Sequence, residues 1–490
     1  MKYDIALKAA LALGWTAQTF ALPTNGSEYS IPSEAYVEVG IDPTNTSAPW
    51  RIFKTATFNP PDMRITHNGD SLQDGYLFMT PWPQAGPDTK QSAGFIMTED
   101  NELVYCVPIV GVHNLRVQTL NDTPYLTYWH GTNARIGHGY GEVVFADDKL
   151  SNFSVNPALD IIPNPTVYDL YGNGANGTVG DVDIHEQQMT NRETILVTAY
   201  NNTPFDLSSV GGSKDGWIVD SHFYEVDIAT QEVVFSWRAS DHLDQIPFNT
   251  SRNAVVGPES NGTASSPWDW MHINSIELVG EDYLIDCRHT WSVYLISHVD
   301  GSVIWHLDGE TGGDFGKLPL EATFRWQHDA RAHNVTSTSL DLSLFDNHNS
   351  DQDHHSTEAG QSKALVFHLD MPVNDSWSAT MTRRLLPPQP FYADAMGSYI
   401  PDIGNGNQLV GWGQVAATTE YGPDGEVRYH TAFETPETVF SYRAYKQVWH
   451  ATPADWDPVL VVENGKAYVS WNGATDVESW SVYRRCRLQV

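Results

Sequence analysis

The 490-residue chain carries 61 acidic against 27 basic side chains, a formal net charge of −34, and only three cysteines. Such acidity excludes nucleic acid as a partner, because there is no basic surface to displace the phosphate counterions. Three cysteines allow at most one intramolecular disulfide, which excludes a disulfide-built scaffold. An anionic small molecule stays possible only where positive charge is concentrated locally.

At the N-terminus Lys2, the apolar run Ile5 to Leu13 and the small-residue site Thr19-Phe20-Ala21 have the three-part layout of a secretory signal peptide, residues 1–21, with cleavage expected after Ala21. Loss of Lys2, Asp4 and Lys8 takes the net charge to −35. The run is too short to span a bilayer, and no other stretch reaches the roughly 20 apolar residues a membrane helix needs. Ten Asn-x-Ser/Thr sequons follow, at Asn25, Asn45, Asn121, Asn152, Asn176, Asn201, Asn249, Asn261, Asn334 and Asn374. With the signal segment they point to a secreted or secretory-pathway glycoprotein, about half of the sequons being used.

After an N-terminal segment, 22–60, short β-branched runs punctuated by glycine and proline fill residues 61–437, and no long helical period interrupts them. One strand pattern recurs six times, two aliphatic residues followed by an aromatic: Glu102 to Tyr105, Glu142 to Phe145, Glu232 to Phe235, Ser302 to Trp305, Ala364 to Phe367 and the looser Glu426 to Tyr429. A second strand precedes each, at Tyr76-Leu77-Phe78, Tyr125-Leu126-Thr127, Ile195-Leu196-Val197, Tyr283-Leu284-Ile285, Leu342-Ser343-Leu344 and Leu409-Val410. Six such pairs predict an all-β fold, a six-bladed β-propeller whose blades bury their faces against one another. Uneven loops, with a long insertion from Asn201 to Gly216 in the third blade, belong on the faces of the ring. Most of the 17 tryptophans read as blade core rather than carbohydrate platforms.

The innermost strand of each blade should begin 10 to 14 residues before the leucine of the second strand. Five of these positions hold a histidine, His67, His113, His185, His272 and His328, and the sixth holds Gly397-Ser398. The expectation is a ring of imidazoles around the axial channel, although His67 and His113 read equally well as strand-end histidines bonded to backbone. Residues 438–490, with runs at Leu460 to Asn464 and Tyr468 to Gly473, read as a short β-sandwich-like module, about half the length such a module takes.

Several other signals favour bland readings. The segment from Asp346 to His355 holds metal-ligand types, but its adjacent histidines cannot both reach one ion from an extended strand, so it reads as a solvated loop near the channel mouth. His328 and His333 point to opposite faces of a strand. No metal and no cofactor are therefore expected. Gly172 to Thr178 reads as a turn-rich glycosylated loop rather than a phosphate cradle, and no Gly-x-Ser-x-Gly elbow anchors a serine hydrolase. Cys106 and Cys486 are the expected pair, with Cys287 buried as a small apolar residue.

The segments Trp268 to Glu277, Cys287-Arg288-His289-Thr290, Trp326 to Arg331 and Ser343 to Asn347, preceded by Asp183-Ile-His185-Glu-Gln, resemble in order the motifs of the PAPS-independent arylsulfotransferases. Tyr125 to Gly131 is similar to the fungal branch of that family, and the likeness covers about residues 60 to 435, with a further match from Ser470. The resemblance implies sulfuryl transfer from an aryl sulfate ester to a phenol through a sulfohistidine. It implies His328 as nucleophile and His185, His272 and Arg288 as the anion-stabilising and proton-transfer groups. Asn274, His289, His113 and Arg331 are then the expected substrate contacts. The implied partners are small-molecule aryl sulfates and phenols; oligomeric state is left open. Two departures stand out: Cys287 occupies a place where serine is common, and the chain stops at Val490 soon after Trp480, which reads as a truncated C-terminal module. Two other functions fit the same propeller, a cyclase or isomerase of secondary metabolism and a non-catalytic binding module.

Overall fold

In the computed structural model, the described residues are 50–482 except 57, 69–70, 84–92, 134–136, 160–179, 258–259, 349–360, 374 and 434–438, together with the backbone of the strands Leu7–Leu11, Tyr29–Pro32 and Glu38–Ile41. Among them there is no α-helix, only strands and short 3-10 turns, and no helix long and apolar enough to cross a membrane. Six antiparallel sheets of four or five strands follow one another around a ring, each numbered from its inner strand outward. The six second strands expected from sequence all lie in second place. The aliphatic-aromatic pattern falls on the fourth strand in blades one, three, four and six, and on the third in blades two and five.

Alternation within the strands explains how the ring holds together. Leu340, Leu342 and Leu344 share one face of the strand Ser339–Asp346 and are at most 1% exposed, packed with Leu284, Val293 and Leu307 of the blade before. In the first blade Phe78, Ile96 and Val104 face the second blade, while Leu77, Met79, Phe95 and Met97 face the sixth. Period-two side chains thus give every blade two apolar faces, and six large clusters fill the six interfaces. Trp129, Trp268, Trp270, Trp305, Trp326 and Trp412 are fully buried in these layers.

The ring closes at both ends of the propeller sequence, and this corrects two expectations. Val439–Gln447, assigned above to the C-terminal module, is the inner strand of the first blade, paired with Tyr76–Pro83. Met63–His67 is not an inner strand; it pairs with Val427–Phe433 at the outer edge of the sixth blade. His67 therefore lies outside the channel, stacked edge-on against Tyr429 with its side chain 43% exposed.

The Asn201 to Gly216 segment is also more ordered than a loop insertion. It extends Thr194–Phe205 and Gly216–Asp227 into 12-residue strands, and the far end of this ribbon pairs in parallel with Trp268–Asp269. Beyond the propeller, Val459–Glu463 and Lys466–Ser470 form a hairpin, and Val477–Val482 is flanked by the backbone of Leu7–Leu11 and Tyr29–Pro32. Strands from the N-terminal side thus join the C-terminal module. Lys2, the Thr19 to Ala21 site, Cys486 and the Gly172 to Thr178 loop lie outside the described residues. Among the sequons, Asn121, Asn152, Asn249, Asn261 and Asn334 are exposed and Asn201 is half-buried; Asn25, Asn45, Asn176 and Asn374 lie outside the described residues. Cys106 and Cys287 are buried.

Candidate functional site

The inner strands converge at their N-terminal ends. His113 is the second residue of Val112–Leu120, His185 precedes Gln187–Met189 by two, His272 immediately precedes Ile273–Val279, and His328 opens His328–His333. Register shifts at Ile273/Ser275, His328/Arg331 and Ser441/Ala444 put bulges on three of these strands, and Asn114, His272 and Asp329 take positive φ values of 53°, 60° and 59°. A bulge breaks the alternation, so consecutive side chains turn toward the axis.

Five histidines gather at this end, His138, His185, His272, His289 and His328, none more than 5% exposed. His185 Nδ1 lies 2.5 Å from Asp183 Oδ1, and His272 Nδ1 lies 2.5 Å from Asp269 Oδ2. Their Nε2 atoms face one another across 3.0 Å. His138 Nε2 joins the same Asp269 oxygen at 3.0 Å, and His289 Nδ1 donates to the Asp269 carbonyl at 2.7 Å. Asp269 is held at the end of the third-blade ribbon by its parallel pairing with Val219. Burial would raise its pKa, but the surrounding His272, His289 and His138 outweigh that and hold it well below the usual carboxylate range. Burial lowers the pKa of His272 well below its ordinary value.

His328 has a different environment. Its Nδ1 lies 2.7 Å from Asn347 Oδ1 and 3.1 Å from the Trp326 carbonyl. Asn347 Nδ2 donates to the carbonyls of Ala393 and Met396 at 2.8 and 2.9 Å, which fixes its oxygen toward the imidazole. Both neighbours of Nδ1 are acceptors, so Nδ1 carries the proton and Nε2 keeps its lone pair. That Nε2 accepts only a long 3.3 Å bond from the Met396 N–H. Burial, then the nearby Arg288 charge, push the His328 pKa well down and keep the ring neutral. Arg288 stacks on Trp326 at 4.9 Å and donates to the Asp394 carbonyl.

Below the histidines lies an ion cluster. Glu186 accepts from Arg331 at 2.6 Å, from Arg443 at 3.2 Å and from Arg116 at 3.3 Å, while Asp329 pairs with Arg331 and Arg443. Burial alone would raise the Glu186 pKa; Arg331, Arg443 and Arg116 overcome it and bring it to about 2. Three guanidiniums thus face two carboxylates in this cluster.

The structure therefore separates the residues expected at the site. His185, His272, His289, Arg288 and His328 come together. Arg331 does not serve as a substrate contact, since its guanidinium is committed to Asp329, Glu186 and the Ile276 carbonyl. Asn274 is likewise tied, donating to the Gln327 carbonyl and accepting from the Asp329 N–H, so it joins the inner strands of blades four and five. His113 is walled in between Trp82 and Trp129, and burial pushes its pKa down to about 3. The loop expected to be solvated begins as core: Asp346, Asn347 and His348 are at most 2% exposed, and Asp346 pairs with Lys363 at 2.8 Å. His333 hydrogen-bonds Ser343 Oγ on its own blade.

Sequence reasoning missed Asp183, Asp269, Asn347, His138 and Tyr442. Asp183-x-His185 and Asp269-x-x-His272 could have been noticed as acid–imidazole spacings. Asn347 closes the motif segment Ser343 to Asn347, in which it was given no role, and nothing local marks His138 or Tyr442. Tyr442 enters from the closing strand, with its ring centroid 5.7 Å from that of His185 and 6.3 Å from that of His328.

The family model described as Arylsulfotransferase (ASST) matches residues 116–434. No curated protein matches the chain. Among solved structures, a protein of unknown function from Bacteroides caccae is 10% identical over 76% of this chain and 98% of its own, with a TM-score of 0.35. TolB from Acinetobacter baumannii is 9% identical over 75% of this chain and 67% of its own, with a TM-score of 0.33. At these scores neither likeness bears on fold or function.

Proposed function

Since the chain belongs to the arylsulfotransferase family, we propose that it moves a sulfuryl group from an aryl sulfate ester to a phenol, without a nucleotide donor, through a sulfohistidine on His328. The observation that carries this reading is the fixed tautomer of His328, a neutral imidazole whose Nδ1–H is held by Asn347 and Trp326. Its Nε2 attacks sulfur, the N–S bond forms, and the bond from sulfur to the aryl oxygen breaks. The proton shared between Nε2 of His185 and Nε2 of His272 passes to the departing phenolate. In the second half the acceptor oxygen attacks sulfur, the N–S bond breaks, and the acceptor's proton returns to that pair. Arg288 supplies a planar donor for the non-bridging oxygens, where charge spreads during transfer.

The test is incubation of purified protein with 4-nitrophenyl sulfate and a phenol. Nitrophenolate release and a sulfated acceptor are expected, with a mass shift of one SO3 on the His328 peptide under mild handling. His328→Ala should lose several orders of magnitude in rate while binding remains. Folded wild-type protein that releases no nitrophenolate across donors and pH would overturn the reading.

We also propose export through the secretory pathway with N-glycosylation, supported by the N-terminal segment's layout and by five exposed sequon asparagines. Glycosidase treatment of protein from a eukaryotic culture medium should lower its mass. An unchanged mass would count against it.

A further inference from the structure

Among the described residues, Tyr442 is the one tyrosine whose buried hydroxyl has no hydrogen-bond partner. Phenols elsewhere in the ring of blades are spent on the fold: Tyr200 donates to the Ile273 carbonyl, Tyr283 to Glu225, Tyr399 to Gln408, Tyr421 to the Leu386 carbonyl and Tyr429 to the Glu99 carbonyl. Tyr442 is only 2% exposed. A hydroxyl buried without a partner is costly, so a group of this kind needs a reason.

Its position supplies one. The bulge at Ser441/Ala444 turns Tyr442 and Arg443 toward the axis together. The Arg443 guanidinium, held by Glu186 and Asp329, lies over the Tyr442 ring at 5.3 Å, and the Gly397 N–H donates to the Tyr442 carbonyl at 2.9 Å. Ring and backbone are therefore fixed while the hydroxyl is uncommitted. The ring stands edge-on to His185 and to His328, and it is the one ring among the described residues in contact with both imidazoles. Trp82 packs against it, with Val110, Met396 and Phe440 around the pair. The Met396 N–H in turn reaches His328 Nε2 at 3.3 Å. An apolar, aromatic wall on the first blade thus adjoins the attacking nitrogen, across the ring from Arg288 of the fourth blade.

We propose that the Tyr442 hydroxyl is a catalytic hydrogen-bond donor to the aryl oxygen of the substrate, with the aryl ring seated on the wall of Trp82, Met396 and Phe440. This rests on the sulfuryl-transfer reading. There the aryl oxygen leaves on the side of sulfur away from His328 Nε2, at a point the His185–His272 proton can reach, and the ring that touches both imidazoles brings its hydroxyl to that oxygen. As the sulfur–oxygen bond breaks, negative charge gathers on the aryl oxygen and the bond from the Tyr442 hydroxyl strengthens. Tyr442 keeps its hydrogen throughout. The proton that neutralises the phenolate comes from His185 and His272, and no covalent bond is made or broken at Tyr442. Burial holds the Tyr442 phenol well above its ordinary pKa, so it stays a donor. In the second half the acceptor's oxygen takes the same place and the same hydrogen bond.

The experiment compares full-length wild type with Tyr442→Phe, by initial rates on a series of aryl sulfates from 4-nitrophenyl to phenyl sulfate and by urea midpoints. The variant should lose about 10-fold on 4-nitrophenyl sulfate and about 100-fold or more on phenyl sulfate, whose oxygen cannot share its charge with a nitro group and leans more on a donor. Its urea midpoint should stay level or rise, because the hydroxyl bonds nothing in the fold. Equal losses across the series, or none, overturn the assignment. A lower midpoint does so too, since it shows the hydroxyl bonded within the protein. The transferase reading survives each of those results. If wild type transfers nothing, that reading falls, and calorimetric titration with 4-nitrophenol tests the contact alone. Binding about 10-fold weaker in Tyr442→Phe then supports the contact; equal affinity, or no binding to either protein, overturns it.

Discussion

Asn347 controls a proton it never exchanges. Its two N–H bonds to the Ala393 and Met396 carbonyls leave the oxygen only one direction, toward His328 Nδ1. Without it the imidazole can swap tautomers and offer Nε2–H instead of a lone pair. Asn347→Ala should therefore lower the transfer rate constant by roughly 100-fold or more, with little change in KM, measured by initial rates on 4-nitrophenyl sulfate. A residue that merely filled space would raise KM and lower stability together. His185, His272 and His328 were legible in sequence because each lies 10 to 14 residues before a second-strand leucine, and Arg288 through the motif resemblance. Asn347 was not, because the hydrogen bonds that give it a role come from residues 46 and 49 positions away.

At the scale of elements, the closing strand Val439–Gln447 matters most. It carries Arg443, fully buried, which donates to Glu186 of the third blade and to the Asn274 carbonyl of the fourth. One carboxylate thus ties guanidiniums from the first, second and fifth blades. Glu186→Gln would leave three buried guanidiniums against the one carboxylate of Asp329, and should cost about 3 to 5 kcal/mol, read as a lower denaturant midpoint. An unchanged midpoint would mean that the cluster contributes little beyond its own desolvation. The sequence placed this strand in a separate module because the runs around it share the short-strand pattern on both sides. Pairing across more than 350 residues leaves no local mark. The third-blade ribbon is similar: its length was visible, but its parallel contact with Trp268–Asp269, which sets Asp269 against three histidines, was not.

At the scale of the whole molecule, stability should depend on pH through acids buried between blades. Burial raises Asp286 from 3.8 to about 8 and Glu277 from 4.5 to about 7. The sign follows from which state holds the proton. Between about pH 4 and 8 the unfolded chain has released the Asp286 proton while the folded chain keeps it. The stabilisation is full below the unfolded pKa and is lost as pH rises through the folded one, at up to about 1.4 kcal/mol per pH unit. Asp286→Asn should flatten this decline, so the variant gains on the wild type between pH 5 and 8 in urea midpoints. Parallel curves would show that Asp286 ionises in the fold. What the amino-acid order determined alone was the all-β class, the count of six blades, the second strand of each, and four of the five histidines set at the start of inner strands. These depend on period-two patterning and turn residues, which act over a few positions. Only the tertiary structure decided where the ring closes, which three arginines are spent on Glu186, and which side chains fix the tautomers of His185, His272 and His328. Those outcomes depend on bulges and on contacts between blades, and neither spacing nor composition encodes which distant residue a side chain meets.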